Sequence, residues 1–137
     1  LNQQLWVGLS SRSNMAAIVQ LQEMLRPYGY EVTGASCKGC LHLKSAITRV
    51  SEDTLLCNPD WVDVGQFDTY RVLHTDPAEP GAANALLVNG KVVYSSSFPR
   101  TLARIEAAGI EVVPVDNSEF IKAEGGVTCS SVVFSGF

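Results

Sequence analysis

The chain has 137 residues, 46% hydrophobic and 18% charged, and its 14 acidic against 10 basic residues give a net charge of −4 at pH 7. That is the composition of a folded chain, and the length suits a single domain over residues 1–137. The acidic balance excludes the clustered Lys/Arg footprint of a nucleic-acid binder, and no run approaches the ~20 apolar residues of a membrane helix. The first apolar stretch is short and lies between polar residues, so no secretory leader is visible and a cytoplasmic location is expected. The first residue is Leu1 rather than Met, which predicts that the native chain begins earlier.

Leu5-Trp6-Val7-Gly8-Leu9 reads as a buried strand. Ser13 or Asn14 can cap a following helix, in which Met15, Ile18, Leu21 or Gln22, and Leu25 recur at helical spacing before Gly29 ends it. Tyr30–Ala35 returns as a strand, completing a β-α-β unit. Leu43–Val50 alternates loosely and is predicted as a strand, and Thr54–Cys57 as another. Pro59–Phe67 can hold a short helix, and Arg71–His74 is the next extended segment. Asn84–Val88 and Val92–Ser95 flank Asn89-Gly90, the strongest short hairpin signal in the chain. Ser97 is placed to cap a helix with Pro99 in its first turn, Leu102 and Ile105 facing inward and Gly109 at its end. Ile110–Val115 and, after Gly125-Gly126, Val127–Phe134 are the last predicted strands. A similar unit therefore recurs about three times at a period of roughly 40 residues, which suggests a propeller or an array of like blades.

Four cysteines are present: Cys37, Cys40, Cys57 and Cys129. The normal apolar content argues for thiols rather than a disulfide scaffold. Cys37-Lys38-Gly39-Cys40 is a CxxC followed by His42, a weak zinc signal without a second pair; two loop thiols is the plainer reading. Cys57 reads as a core thiol. Cys129 follows two glycines that let the backbone approach a ligand closely, and has hydroxyl neighbours, a setting that suits a nucleophile. The same position also suits an inert thiol near a strand. His42 and His74 are the only imidazoles. His42 lies between leucines, beside Lys44, where a structural side chain is the common outcome. Trp6 and Trp61 sit on apolar faces, so core packing is expected for both.

Three segments narrow these alternatives. Gly8-Leu9-Ser10-Ser11-Arg12-Ser13-Asn14, Leu41-His42-Leu43-Lys44-Ser45 and Gly125–Val132 resemble the GLSxRTN, LHLKS and GGxTCSS segments of the dimethylarginine dimethylaminohydrolase family, in that order and at fitting distances. That family lies within the guanidino-group-modifying superfamily of arginine deiminases and amidinotransferases. Ser13 replaces the usual Thr and keeps the hydroxyl. The resemblance runs nearly end to end. It implies an α/β propeller of five ββαβ units, pentein-like, of which this chain would be the C-terminal portion with about three. It also implies hydrolysis of methylated arginine to citrulline and a methylamine, without metal or organic cofactor.

By the same resemblance Cys129 would attack the guanidinium carbon, and His42 would serve as general acid and base. Arg12 would hold the substrate carboxylate through its planar fork. The Ser130 and Ser131 backbone N–H groups would contact substrate, or else simply continue a strand. His74 ranks below His42, because it aligns with a strand that does not carry the base. The family's site also needs carboxylates, most of them from N-terminal units without a counterpart here; Asp53, Asp76 and Glu79 fall in no matching motif. Three blades cannot close a ring of five, so exposed edges invite a second copy or a missing N-terminal half. Three readings stay open: part of a longer hydrolase, a short relative that assembles with a partner, and an inactive binding or structural module. A related deiminase or amidinotransferase is the alternative chemistry.

Overall fold

A computed structural model describes residues 3–134. Its eight strands form three separate sheets among the described residues. In the first, β1 (Gln4–Leu9) pairs in parallel with β2 (Glu31–Ser36). In the second, β4 (Thr54–Cys57) is central, antiparallel to β3 (Ile47–Arg49) and parallel to β5 (Arg71–His74). The third repeats that plan: β7 (Lys91–Ser95) is antiparallel to β6 (Leu86–Val88) and parallel to β8 (Val112–Val115). The outer parallel strands β2, β5 and β8 begin at Glu31, Arg71 and Val112, so the expected period of about 40 residues holds between equivalent strands.

Each parallel pair needs a crossover, and each crossover has its own local cause. Helix α1 (Met15–Leu25) starts where the Asn14 side chain accepts a hydrogen bond from the Ala17 N–H at 3.1 Å, so Asn14 rather than Ser13 is the cap. Gly29, at φ 77°, takes the left-handed conformation that ends this segment. Ile18 is buried against Gly34 of β2, where a Cβ would lie 2.6 Å from Ile18 Cδ1; Met15, by contrast, is exposed. The hairpin between β6 and β7 turns at Asn89 and Gly90, both at positive φ, as the Asn-Gly pair predicts.

Four local expectations change. Leu43–Val50 is not one strand: Leu43–Ala46 forms a helical turn, α2, and only Ile47–Arg49 is extended. The Ser45 N–H donates to the His42 carbonyl there, and the loose alternation of this segment does not distinguish a turn from a strand. The helix expected over Pro59–Phe67 shrinks to a 3-10 turn at Val64–Phe67, started by the Asp63 side chain accepting from the Gly65 N–H. Helix α3 (Pro99–Ala107) takes no side-chain cap from Ser97. Instead the distant Glu79 carboxylate accepts from the Arg100 and Thr101 N–H groups at 3.0 and 2.8 Å. An anion at a helix start satisfies orphan donors and complements the dipole, so a loop carboxylate replaces the local hydroxyl. Finally, Val127–Phe134 forms no strand: residues 127–130 are turns, and Val132, Val133 and Phe134 are exposed. Among the described residues they meet no sheet edge with which to pair.

The two faces of β4 explain how adjacent sheets join. Leu55 and Cys57 face a cluster with Ala35, Ala46, Ile47, Val62 and Phe67. Leu56, pointing the other way, joins Val50, Ala85, Val92, Tyr94 and Ile105. A strand buried on both faces reads as a continuous apolar run, as Leu55-Leu56-Cys57 does. Trp6 packs its ring 4.5 Å from Phe67, and Trp61 packs against the first cluster, as expected for both. No helix among the described residues is long and apolar enough to cross a membrane.

Candidate active site

A cavity of about 390 Å³ opens where three connectors meet, and Arg12, His42 and Cys129 all line it, with Gly8, Ser13, Leu41, Leu43, Lys44 and Thr128. None of the three is on a strand. Arg12 lies in the turn after β1, His42 immediately before α2, and Cys129 in the turn at residues 127–130. Three side chains spread over most of the sequence are thus brought to one opening by the sheets beneath them.

Hydrogen bonds fix the connectors to each other. The Ser10 hydroxyl accepts from the Arg12 N–H at 3.1 Å and donates to the Leu41 carbonyl at 2.8 Å. One hydroxyl therefore ties the Arg12 turn to the residue before His42. Gly8 permits the close approach: a Cβ there would stand 3.1 Å from Leu43 Cβ. On the other side, the Asn84 carboxamide donates to the Lys44 carbonyl at 3.1 Å and to Thr128 Oγ1 at 2.8 Å. Its oxygen accepts from the Thr128 N–H at 3.1 Å. Gly126 makes room for this group, since a Cβ would lie 2.5 Å from Asn84 Cγ. The paired glycines thus have a contact that requires one of them. Sequence reasoning missed Ser10 and Asn84. Ser10 lies within a segment already singled out, whereas Asn84 opens a predicted hairpin strand that begins instead at Leu86, and it carries no local signal of its own.

The remaining candidates fall elsewhere. Ser130 is exposed, its hydroxyl donates to the Gly126 carbonyl at 3.2 Å, and it is not among the lining residues. His74 ends β5 outside the cavity, and its carbonyl accepts from Arg104. Lys44 is exposed and borders the cavity. All four cysteines are free thiols. Cys129 is exposed, while burial pushes the Cys57 thiol up to about 12. Burial, with the adjoining Cys40, pushes Cys37 up to about 11. Burial also raises Cys40, against hydrogen bonds from Cys37 and the His42 backbone. No group of three or more metal-type ligands forms among the described residues.

Asp53, Asp76 and Glu79, the acids weighed from the sequence, are occupied away from the cavity. Asp53 accepts from the Ser51 and Thr54 hydroxyls, which hold its carboxyl below the usual range. Asp76 accepts from the Ala78 N–H and pairs with Arg104 at 2.8 Å and Arg100 at 3.8 Å. Glu79 caps α3. The described residues lining the cavity include no carboxylate.

No family model matches the chain. Curated relatives do. The chain is 30% identical over 129 residues to N(G),N(G)-dimethylarginine dimethylaminohydrolase of Pseudomonas aeruginosa, covering 94% of this chain and 51% of that protein. It is 36% identical over 128 residues to the protein of the same name from Streptomyces coelicolor, covering 93% and 49%. It superposes on a solved mutant of the Pseudomonas aeruginosa enzyme complexed with citrulline with a TM-score of 0.86 at 28% identity, covering 94% of this chain and 51% of that one. An amidinotransferase from Microseira wollei shares the fold alone, with a TM-score of 0.82 at 16% identity over 93% and 43% of the two chains.

The fold is the pentein α/β fold, with its loop-borne residues gathered at one opening. The sequence identities and the shared fold support the dimethylarginine dimethylaminohydrolase and amidinotransferase superfamily. It spans about half the length of the curated relatives it matches.

Proposed function

We propose that this chain carries the nucleophile, the base and the carboxylate anchor of a hydrolase acting on methylated arginine. The observation that supports this reading most is that Arg12, His42 and Cys129 all line one cavity. A guanidinium carbon is a poor electrophile, and a covalent route divides one difficult step into two easier ones. The Cys129 thiolate adds to that carbon. Its carbon–nitrogen bond to the methylated nitrogen then breaks, with His42 delivering a proton to the departing methylamine. The substrate remainder is left on sulfur as a thiouronium. His42 next removes a proton from water, whose oxygen adds to the same carbon; the carbon–sulfur bond breaks and citrulline leaves. The thiolate is regenerated, and one water is consumed per turnover. A cationic substrate beside Cys129 favours the thiolate during the first step.

Arg12 binds the substrate carboxylate, for which a guanidinium fork suits two parallel hydrogen bonds. The Ser130 N–H stands one residue beyond the thiol as a further substrate contact. Carboxylates that grip the guanidinium nitrogens and orient His42 come from propeller units outside the described residues, in a longer polypeptide or in a second copy. This assignment is supported by the lack of a carboxylate among the described lining residues.

Two measurements test it. Chloroacetamidine, a guanidine-like electrophile, is expected to label Cys129 ahead of Cys37, Cys40 and Cys57; equal labelling of all four refutes the nucleophile assignment. Light scattering and citrulline release on one sample test the source of the acids. Activity in an assembled species identifies a second copy as the donor, whereas an inactive monomer assigns them to a longer polypeptide.

A further inference from the structure

His42 and Cys129 lie on connectors far apart in the chain, and a single side chain spans the space between those connectors. Asn84 Nδ2 donates one hydrogen bond to the Lys44 carbonyl, two residues after His42, and another to Thr128 Oγ1, one residue before Cys129. Its Oδ1 accepts from the Thr128 N–H. Both donors and the acceptor of the carboxamide are thus engaged. The backbone that carries it is itself pinned, because the Thr48 hydroxyl donates to the Ala83 carbonyl and accepts from the Ala85 N–H. Ala83 and Ala85 are 0% and 3% exposed, so Asn84 projects from a fixed point in the core.

We propose that Asn84 is a positioning residue that sets the separation of the nucleophile and base connectors; this rests on the reading of Cys129 and His42 above. A base must lie within hydrogen-bond reach of the proton it moves, and a displacement of about 1 Å can cost about 100-fold in rate. Aspartate has nearly the same shape but only accepts, so it retains the Thr128 N–H bond and forfeits the bond to Lys44. Alanine removes both. The two variants therefore separate the nucleophile side of the bridge from the base side.

The experiment compares the 137-residue chain with its Asn84→Asp and Asn84→Ala variants. Three quantities are read: Cys129 labelling by chloroacetamidine relative to iodoacetamide, amide exchange at Thr128, and the NMR ring signals of His42 at fixed pH. In Asn84→Ala the amidine rate is expected to fall about 10- to 100-fold while the iodoacetamide rate stays within about twofold, Thr128 exchange to accelerate, and the His42 ring signals to shift. In Asn84→Asp the Thr128 amide stays protected while the amidine rate falls and the His42 ring signals shift. A purely structural role lowers thermal stability without changing the amidine-to-iodoacetamide ratio or the His42 ring signals, and that result overturns the proposal. If Asn84→Ala does not fold, Asn84→Asp alone decides by the same criteria. If the unaltered chain shows no preference for the amidine, the nucleophile assignment fails, and the bridge stands or falls on Thr128 exchange and the His42 signals: no change in either variant overturns it.

Discussion

Thr48→Val exchanges a hydroxyl for a methyl at almost constant volume, in a residue 8% exposed on β3. The hydroxyl serves two backbone groups at once, donating to the Ala83 carbonyl at 2.5 Å and accepting from the Ala85 N–H at 3.1 Å. Valine supplies neither, and both groups are in residues closed to water. An orphaned buried polar group costs about 1–3 kcal/mol, so the pair costs roughly 3–4 kcal/mol. In a chain of this size about 1 kcal/mol moves the melting midpoint by roughly 3–5 °C, which gives a fall of about 9–20 °C. Urea unfolding followed by fluorescence, with Thr48→Ser as the control, measures this directly. Serine keeps both hydrogen bonds and loses one methyl, for an expected cost of about 1 kcal/mol. The reasoning is refuted if valine lies within about 0.5 kcal/mol of the unaltered chain, or if serine is as damaging as valine.

Arg12→Lys keeps a charge but loses the planar fork, and citrulline titrated by calorimetry is expected to bind about 10-fold more weakly; unchanged affinity removes Arg12 from the carboxylate site. Iodoacetamide at neutral pH should modify exposed Cys129 early and Cys57, wholly buried with a thiol pushed up to about 12, only after unfolding, as mass spectrometry of timed digests will report. Acid unfolding has a defined sign. Asp53 is held low by the Ser51 and Thr54 hydroxyls, Asp76 by the Ala78 N–H and then Arg104 and Arg100, and Asp116 by the Ser118 N–H. Their folded-state pKa values lie below the unfolded value of about 4, so their stabilisation is complete above about pH 4 and is lost as pH falls through the lowered values. Asp76→Asn should flatten that acid limb in a pH series of urea midpoints, and an unaltered slope rejects the Asp76 contribution.

How much of this was legible in the sequence depends on the range of the interactions. The Asn89-Gly90 hairpin, the Gly29 stop and the Asn14 cap are local, and the sequence placed them, naming Asn14 beside Ser13 for the last. The 40-residue period also came through, because each unit contributes similarly spaced apolar strands to clusters shared with its neighbour. Leu43–Ala46 did not, since a helical turn of four residues has too few positions to declare a period. Glu79 capping α3 from twenty residues away was equally invisible, because nothing near Pro99 encodes it. At the cavity, Arg12, His42 and Cys129 stood out through the three resembling segments. Asn84 and Ser10 did not, because their roles reside in contacts to other connectors. Val127–Phe134 carries the apolar pattern of a strand but meets no edge among the described residues.

Because Arg12, His42 and Cys129 all project from connectors while the apolar clusters draw largely on the strands, the lining of the cavity and the scaffold beneath it can vary separately. A replacement in the turn at residues 127–130 can exchange one reactive group for another without reopening either cluster. The constraint on such drift is geometric: any new turn must still leave space beside Asn84, which only a residue without a Cβ provides at position 126. An architecture of this kind lends itself to diversification of chemistry at constant fold, with the bridging carboxamide as the part that resists exchange.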